Sequence, residues 1–323
     1  MEDVSLRTER VTLDIDNKDY SLLTGVEEEN LKRIEKACDV ELYVKDTSIA
    51  IKGTDDAVEK AVRIINTIQR IIIKYSKFNK YDLELLVDAV NRNAEDKLLE
   101  ALDTIIARTY TGKPIRAMTL GQKVFIDKVK ANDLTFAVGP AGTGKTYLAV
   151  VYAVELLKKG QIKKIILTRP AVEAGENLGF LPGDLKEKVD PYLRPLYDAL
   201  DDMLSSEKTL RYIENNTIEI APLAYMRGRT LDDAMIILDE AQNTTKAQMI
   251  MFLTRLGRNS KMIVTGDLTQ VDLHPKQESG LKTSIDRLQD IDNIAFVKLT
   301  NSDVVRHPLV IEILKRFENN GGM

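Results

Sequence analysis

The chain has 323 residues, enough for about two domains at roughly 100–200 residues each. Its 46 Lys+Arg against 50 Asp+Glu leave a net charge of -4 and a pI near 5.5, which excludes a global basic field, so any nucleic-acid contact must be a local patch. With 44% hydrophobic and 30% charged residues the chain is not disordered; one cysteine, Cys38, excludes an internal disulfide, and two histidines, His274 and His307, argue against a zinc hydrolase. The lone cysteine suggests a reducing, cytoplasmic setting. The start MEDVSLRTER has no apolar h-region and no apolar run approaches the roughly 18 residues of a span, so neither export nor membrane insertion is expected.

Short alternating runs at 11–15, 40–44 and 48–51 predict strands. Between and after them, Leu31, Ile34 and Cys38, then Val58, Val62, Ile65, Ile68 and Ile72, recur at helix spacing, with Gly53-Thr54-Asp55 as turn and N-cap. This is a small α+β unit of about 65 residues, too short for an ordinary enzyme core. A helical stretch is expected over 81–108, broken by Gly112 and Pro114 in TYTGKPIRAM. The expected organisation is therefore a small domain over 1–76, a helical linker over 77–118 and a catalytic domain over 119–323. In the last, buried strand-like runs at 134–138, 164–168, 218–221, 234–238, 261–265 and 294–299 alternate with helical segments, the pattern of an α/β core with a mostly parallel sheet.

Gly139-Pro140-Ala141-Gly142-Thr143-Gly144-Lys145-Thr146 fits G-x-x-x-x-G-K-[ST] after a predicted strand and before a predicted helix. In that setting successive backbone N–H groups and a helix N-terminus converge on one anion; Lys145 reaches β/γ oxygens and the Thr146 hydroxyl ligates Mg²⁺. The plainer alternative is a glycine-rich turn. Downstream, Met235-Ile236-Ile237-Leu238-Asp239-Glu240 is an apolar strand ending in two carboxylates: Asp239 to hold Mg²⁺, Glu240 to polarise a water, unless the pair is merely a strand end in solvent. A Glu beside the metal-binding Asp favours hydrolysis over transfer to an acceptor, and no Asn-Lys-x-Asp guanine-reading string follows, so ATP is expected rather than GTP. In Val264-Thr265-Gly266-Asp267-Leu268-Thr269-Gln270, Asp267 and Gln270 are candidates for sensing a γ-phosphate, or form a solvated turn. Gln122 either contacts an adenine edge or is a solvated residue near an N-cap.

The segments LTRPAVEAGENLGFLPGDLKEKVDPYLRPLYDAL, IEIAPLAYMRGRTLDDAMIILDEAQNTTKAQMIMFLTRLG, KMIVTGDLTQVDL and SDVVRHPLV closely resemble the PhoH-like family of P-loop ATPases, over about 122–317. Residues 11–76 resemble the KH-like unit of its short branch, although the turn Gly25-Val26-Glu27-Glu28-Glu29-Asn30 carries three glutamates that repel RNA phosphates. No PIN-type nuclease unit is visible, so the chain is not expected to cut RNA. The family's relation to superfamily 1 helicases implies the roles given above to Gln122, Asp239, Glu240 and Gln270. It further implies a single RecA-like P-loop NTPase core, RNA metabolism, unwinding of RNA or ribosomal RNA maturation beside a YbeY-type endoribonuclease.

One RecA-like core lacks the arginine that a second core would supply. Arg306 in Asp303-Val304-Val305-Arg306-His307-Pro308 is the candidate finger, inserted into a neighbouring subunit of a head-to-tail ring such as a hexamer, or else it pairs with a surface carboxylate. Arg227 and Arg229 are candidates for RNA phosphates, for a γ-phosphate, or for neither. The long Pro- and Gly-containing stretch 169–195 is expected to be a functional loop. The expectation is an ATP- and Mg²⁺-dependent oligomeric hydrolase linked to RNA; the alternative is a nucleotide-gated scaffold without unwinding activity, with a kinase third.

Overall fold

The computed structural model describes residues 6–16, 19–45, 47–75, 78, 80–170, 185–274, 277–305, 309–310, 313 and 316. The chain forms two compact units, one made of residues 1–102 with 307–323, the other of residues 103–306.

In the first unit, β1 (Arg7–Thr12), α1 (Tyr20–Thr24), α2 (Glu29–Cys38), β2 (Glu41–Lys45), β3 (Ser48–Gly53) and α3 (Asp55–Tyr75) are followed by α4 (Lys80–Asn91) and α5 (Glu95–Asp103). The sheet is antiparallel with order β1-β3-β2. Ile49 and Ile51 of β3 are fully buried while their neighbours are not, the period-2 signature of a sheet with one covered face. Val58, Ala61, Ile65, Ile68 and Ile72 run down the buried face of α3 at helix spacing. Cys38 is buried on α2, and burial pushes its thiol up from its ordinary value. The turn between α1 and α2 places both Glu27 (φ 51°) and Glu28 (φ 62°) in the left-handed region, beside Gly25. The first strand begins earlier than expected, at Arg7, and the helices expected as a linker pack with this unit: α4 lies against α2 and α3.

The second unit opens with a hairpin, β4 (Ile105–Arg108) and β5 (Pro114–Arg116), where a continued helix was expected to 108. Ile105 and Ile106 are β-branched and suit a strand. Then follow α6 (Leu120–Ala131), β6 (Leu134–Val138), α7 (Lys145–Lys158), β7 (Lys164–Arg169), α8 (Leu185–Leu204), α9 (Ser206–Glu214), β8 (Ile218–Pro222), β9 (Ala234–Leu238), α10 (Lys246–Leu253), β10 (Lys261–Gly266), α11 (Gly280–Arg287) and β11 (Ile294–Lys298). Six strands form one sheet in the order β11-β6-β10-β9-β7-β8, and every pairing is parallel.

Because the sheet is covered on both faces, its strands are apolar at consecutive positions. Ala137, Ile165, Leu167, Met235, Ile237 and Ile263 pack towards α6, α7 and α8. Phe136, Ile166, Ile236, Leu238 and Val264 pack the other way, with Met249 and Phe252 of α10 and Leu281 of α11. Phe136 stacks on Phe296 of β11 at 4.9 Å between ring centroids. Parallel strands put all their carboxyl ends along one edge, which is where β6, β7, β9 and β10 deliver the chemistry-bearing residues. Among the described residues no helix is long and apolar enough to cross a membrane.

Candidate functional site

Strand β6 ends at Val138, the chain turns through 139–144, and α7 begins at Lys145. Gly139 lies so close to Leu299 that a Cβ there would stand 2.5 Å from its carbonyl oxygen. Gly144, at φ 78°, caps α7 in the left-handed region and lets the loop close onto the helix N-terminus. The loop is anchored by the Gly139 N–H donating to the Gly266 carbonyl at 3.1 Å. The Lys145 ammonium, buried at 8% exposure, donates to Gly139 O at 2.6 Å, Pro140 O at 2.8 Å and Thr143 Oγ1 at 3.2 Å. Its charge thus sits inside the loop, where an anion would be received.

The Thr146 hydroxyl, in the first turn of α7, donates to Asp239 Oδ1 at 2.6 Å, and Thr265 at the end of β10 donates to the same oxygen at 2.7 Å. Two hydroxyls from two elements fix the carboxylate, and among the described residues Asp239 Oδ2 carries no hydrogen bond. This is an oxygen-only donor pair with an open carboxylate oxygen. Among the described residues there is no cluster of three or more His, Cys, Asp or Glu suited to a metal cage. That composition fits Mg²⁺, which is commonly held by one or two carboxylates together with substrate phosphates.

Glu240 follows at φ 53°, a left-handed turn that a non-glycine residue adopts only where its surroundings enforce it. Its carboxylate accepts from Gln242 Nε2 at 2.6 Å and lies 3.1 Å from Arg169 Nη2. Gln242 is buried, and its Oε1 accepts the Asp267 N–H at 3.0 Å. Asp267 in turn receives the Ala141 N–H of the loop on Oδ2 at 3.2 Å, and the Thr269 N–H and hydroxyl on Oδ1 at 3.0 and 2.7 Å. Asp267 therefore touches the phosphate loop directly, while Gln270 stands exposed on the turn beyond it.

Gln122 is buried rather than solvated. Its Nε2 donates to Thr143 O at 3.0 Å and its Oε1 accepts the Met118 N–H at 2.8 Å, so it braces the loop; one N–H and one lone pair remain for any base. Arg229 is not available to a ligand in this arrangement: it forms a two-pronged pair with Glu219 of β8 at 2.6 and 2.7 Å, whereas Arg227 is exposed. Arg306 and most of the 169–195 stretch lie outside the described residues. Lys158, at the end of α7, donates to Met203 O at 2.8 Å, while Lys163, in the turn that follows, stays exposed and pairs with Asp233 at the surface.

Sequence reasoning missed Arg169, Gln242, Thr265 and Asp303. Asp303 is buried; it accepts from the Thr119 hydroxyl at 2.7 Å and the Gly121 N–H at 3.1 Å on one oxygen, and from the Thr300 N–H at 2.9 Å on the other. Two residues on, the Val305 N–H donates to Gly142 O at 2.9 Å. The segment after β11 thus clamps both α6 and the loop. Asp303→Ala leaves these donors without an acceptor, at about 1–3 kcal/mol each, and a loss of about 3–5 kcal/mol in unfolding free energy is expected by denaturant titration.

Known proteins share much of this sequence. The PhoH-like protein family model matches residues 114–318. A PhoH-like protein of Bacillus subtilis (strain 168) is 51% identical over 303 residues, covering 94% of this chain and 95% of that protein. Protein PhoH of Escherichia coli (strain K12) is 39% identical over 277 residues, covering 84% of this chain and 75% of that protein. Among solved structures, the UvsW helicase from bacteriophage T4 aligns at 12% identity with a TM-score of 0.39, covering 73% of this chain and 78% of that one. The loop with its lysine, the acidic strand end beside it and a family match reaching across both lead to one assignment: the chain belongs to the PhoH-like family.

Proposed function

We propose that this protein hydrolyses ATP with Mg²⁺ at the carboxyl edge of the parallel sheet, as an oligomer acting in RNA metabolism. The observation that carries the reading is the 2.6 Å contact between Thr146 and Asp239, which joins the phosphate loop to the acidic strand end in one site. Loop amides from Ala141, Gly142, Thr143 and Gly144, with the N-terminus of α7 behind them, receive the phosphates, Gly139 and Pro140 shape the turn that presents them, and Lys145 turns its ammonium onto the β/γ oxygens. Thr146 and Asp239 hold the cation, which when bound neutralises charge developing on the phosphates. Glu240 takes the proton of a water as its oxygen attacks the γ-phosphorus; the β–γ bridging P–O bond breaks and its electron pair leaves with ADP. Gln122 lies beside the loop for the base, Gln270 beyond Asp267 for the γ-phosphate, and Arg306 of a neighbouring copy completes the site in trans.

RNA as the coupled substrate, with a YbeY-type endoribonuclease as a partner, rests on the family relation. One observation favours the alternative of a nucleotide-gated scaffold: the strained turn of the small unit presents Glu27 and Glu28, both exposed, where a KH-like unit would meet RNA backbone. Steady-state ATPase assays with and without single-stranded RNA, across salt concentrations, on wild type and Arg306→Ala, separate the two. Stimulation that weakens with salt and vanishes in the variant is the expected result. Turnover indifferent to RNA would replace the RNA-coupled reading with the scaffold.

A further inference from the structure

The Glu240 carboxylate is held from two directions. Arg169, the last residue of β7, sits 3.1 Å from Oε1, with the two side chains 21% and 32% exposed, and Gln242 donates to Oε2 at 2.6 Å. In the sheet order, β7 borders β9 on the side away from β10 and β6, and the phosphate loop springs from β6. Neighbouring strands are about 4.8 Å apart, so an anchor on β7 ties the carboxylate to the flank of β9 farther from the loop.

We propose that Arg169 is a latch on the water-activating carboxylate: without nucleotide it holds Glu240 on the β7 side, and hydrolysis requires that hold to loosen. The inference rests on the assignment of Glu240 as the group that takes the water's proton. The hold is undone when the two groups move apart. A continuous chain of contacts gives the means. The Ala141 N–H binds Asp267, the Asp267 N–H binds Gln242, and Gln242 binds Glu240. The Asp267 carboxylate occupies a loop amide that faces the incoming anion. A γ-phosphate competes for that amide and repels the carboxylate, so the Asp267 contact is the first to yield. Displacement of Asp267 pulls on Gln242, and Gln242, bound on the β10 side, draws Glu240 away from Arg169. Arg169 is thus a positioning residue, acting on the reaction through Glu240.

The test measures basal ATP turnover, nucleotide affinity by fluorescence of an N-methylanthraniloyl ATP analogue, and thermal unfolding for wild type, Arg169→Ala, Arg169→Lys, Glu240→Gln and the double variant Arg169→Ala/Glu240→Gln. Arg169→Ala is expected to raise kcat about 3- to 10-fold, the size of one partly exposed ion pair, with affinity changed less than twofold. Lysine supplies the charge without the planar fork, so Arg169→Lys raises kcat by less. The double variant stays as inactive as Glu240→Gln, because the gain passes through Glu240. A folded Arg169→Ala with kcat at or below wild type, beside an inactive Glu240→Gln, overturns the latch alone. Glu240→Gln turning over like wild type overturns the water-activation reading and the latch with it. Should Arg169→Ala fail to fold, a folded Arg169→Lys with no rise in kcat is equally decisive against the latch.

Discussion

Lys145→Ala lowers ATP affinity by at least about 100-fold. The ammonium is buried and makes three hydrogen bonds inside the loop, to Gly139 O, Pro140 O and Thr143 Oγ1. Phosphate oxygens compete for these same donors, and charged hydrogen bonds contribute about 1.5–3 kcal/mol each, so two of them account for a factor of about 10² or more. The backbone amides and the helix N-terminus remain in the variant, which leaves weak binding rather than none. Calorimetric titration with ATP and Mg²⁺ reads the effect, with thermal unfolding as the control for folding. Undiminished affinity in a folded variant would remove the phosphate-site assignment.

Glu240→Gln has the second large effect, on turnover rather than binding. A positioned general base contributes typically about 10²–10⁴-fold, so kcat is expected to fall by that factor. Affinity is expected to stay within a few-fold, because Lys145, Thr146 and Asp239 are untouched and the glutamine keeps the size of the side chain. Pre-steady-state and steady-state phosphate release, measured with saturating ATP, distinguish a slowed chemical step from slowed product release. A kcat equal to wild type would show that another group activates the water.

The parallel core was legible because each of its strands is a short apolar run bounded by turn signals, and the run at 134–138 matches β6 residue for residue. The helix expected through Arg108 was not, because apolar spacing continues past Asp103 while Ile105 and Ala107 pair with Arg116 and Ile115 across a turn at Gly112. That pairing is a tertiary outcome, invisible to a local pattern. Thr146 and Asp239 were readable as candidates since each belongs to a motif with its own spacing. Arg169 and Gln242 were not, because their contacts depend on β7 and β10 flanking β9, and sequence does not dictate strand order. Arg229 was left open between a ligand and none, because its bidentate partner Glu219 stands ten residues earlier, on β8.

Strand β6, which carries the phosphate loop, has as its two neighbours β10 and β11, both encoded well over a hundred residues later. At synthesis rates of roughly 5–20 residues per second, Leu134–Val138 emerges on the order of ten seconds before either flanking strand exists. The glycine loop is shaped in part by the Gly266 carbonyl at the end of β10, so it gains that support only once β10 has been made. A nascent chain stalled before that point carries an apolar segment with no sheet to enter and a nucleotide motif without its grip. ATP therefore cannot act as an early folding ligand for this protein; it can only stabilise a core that is already nearly complete.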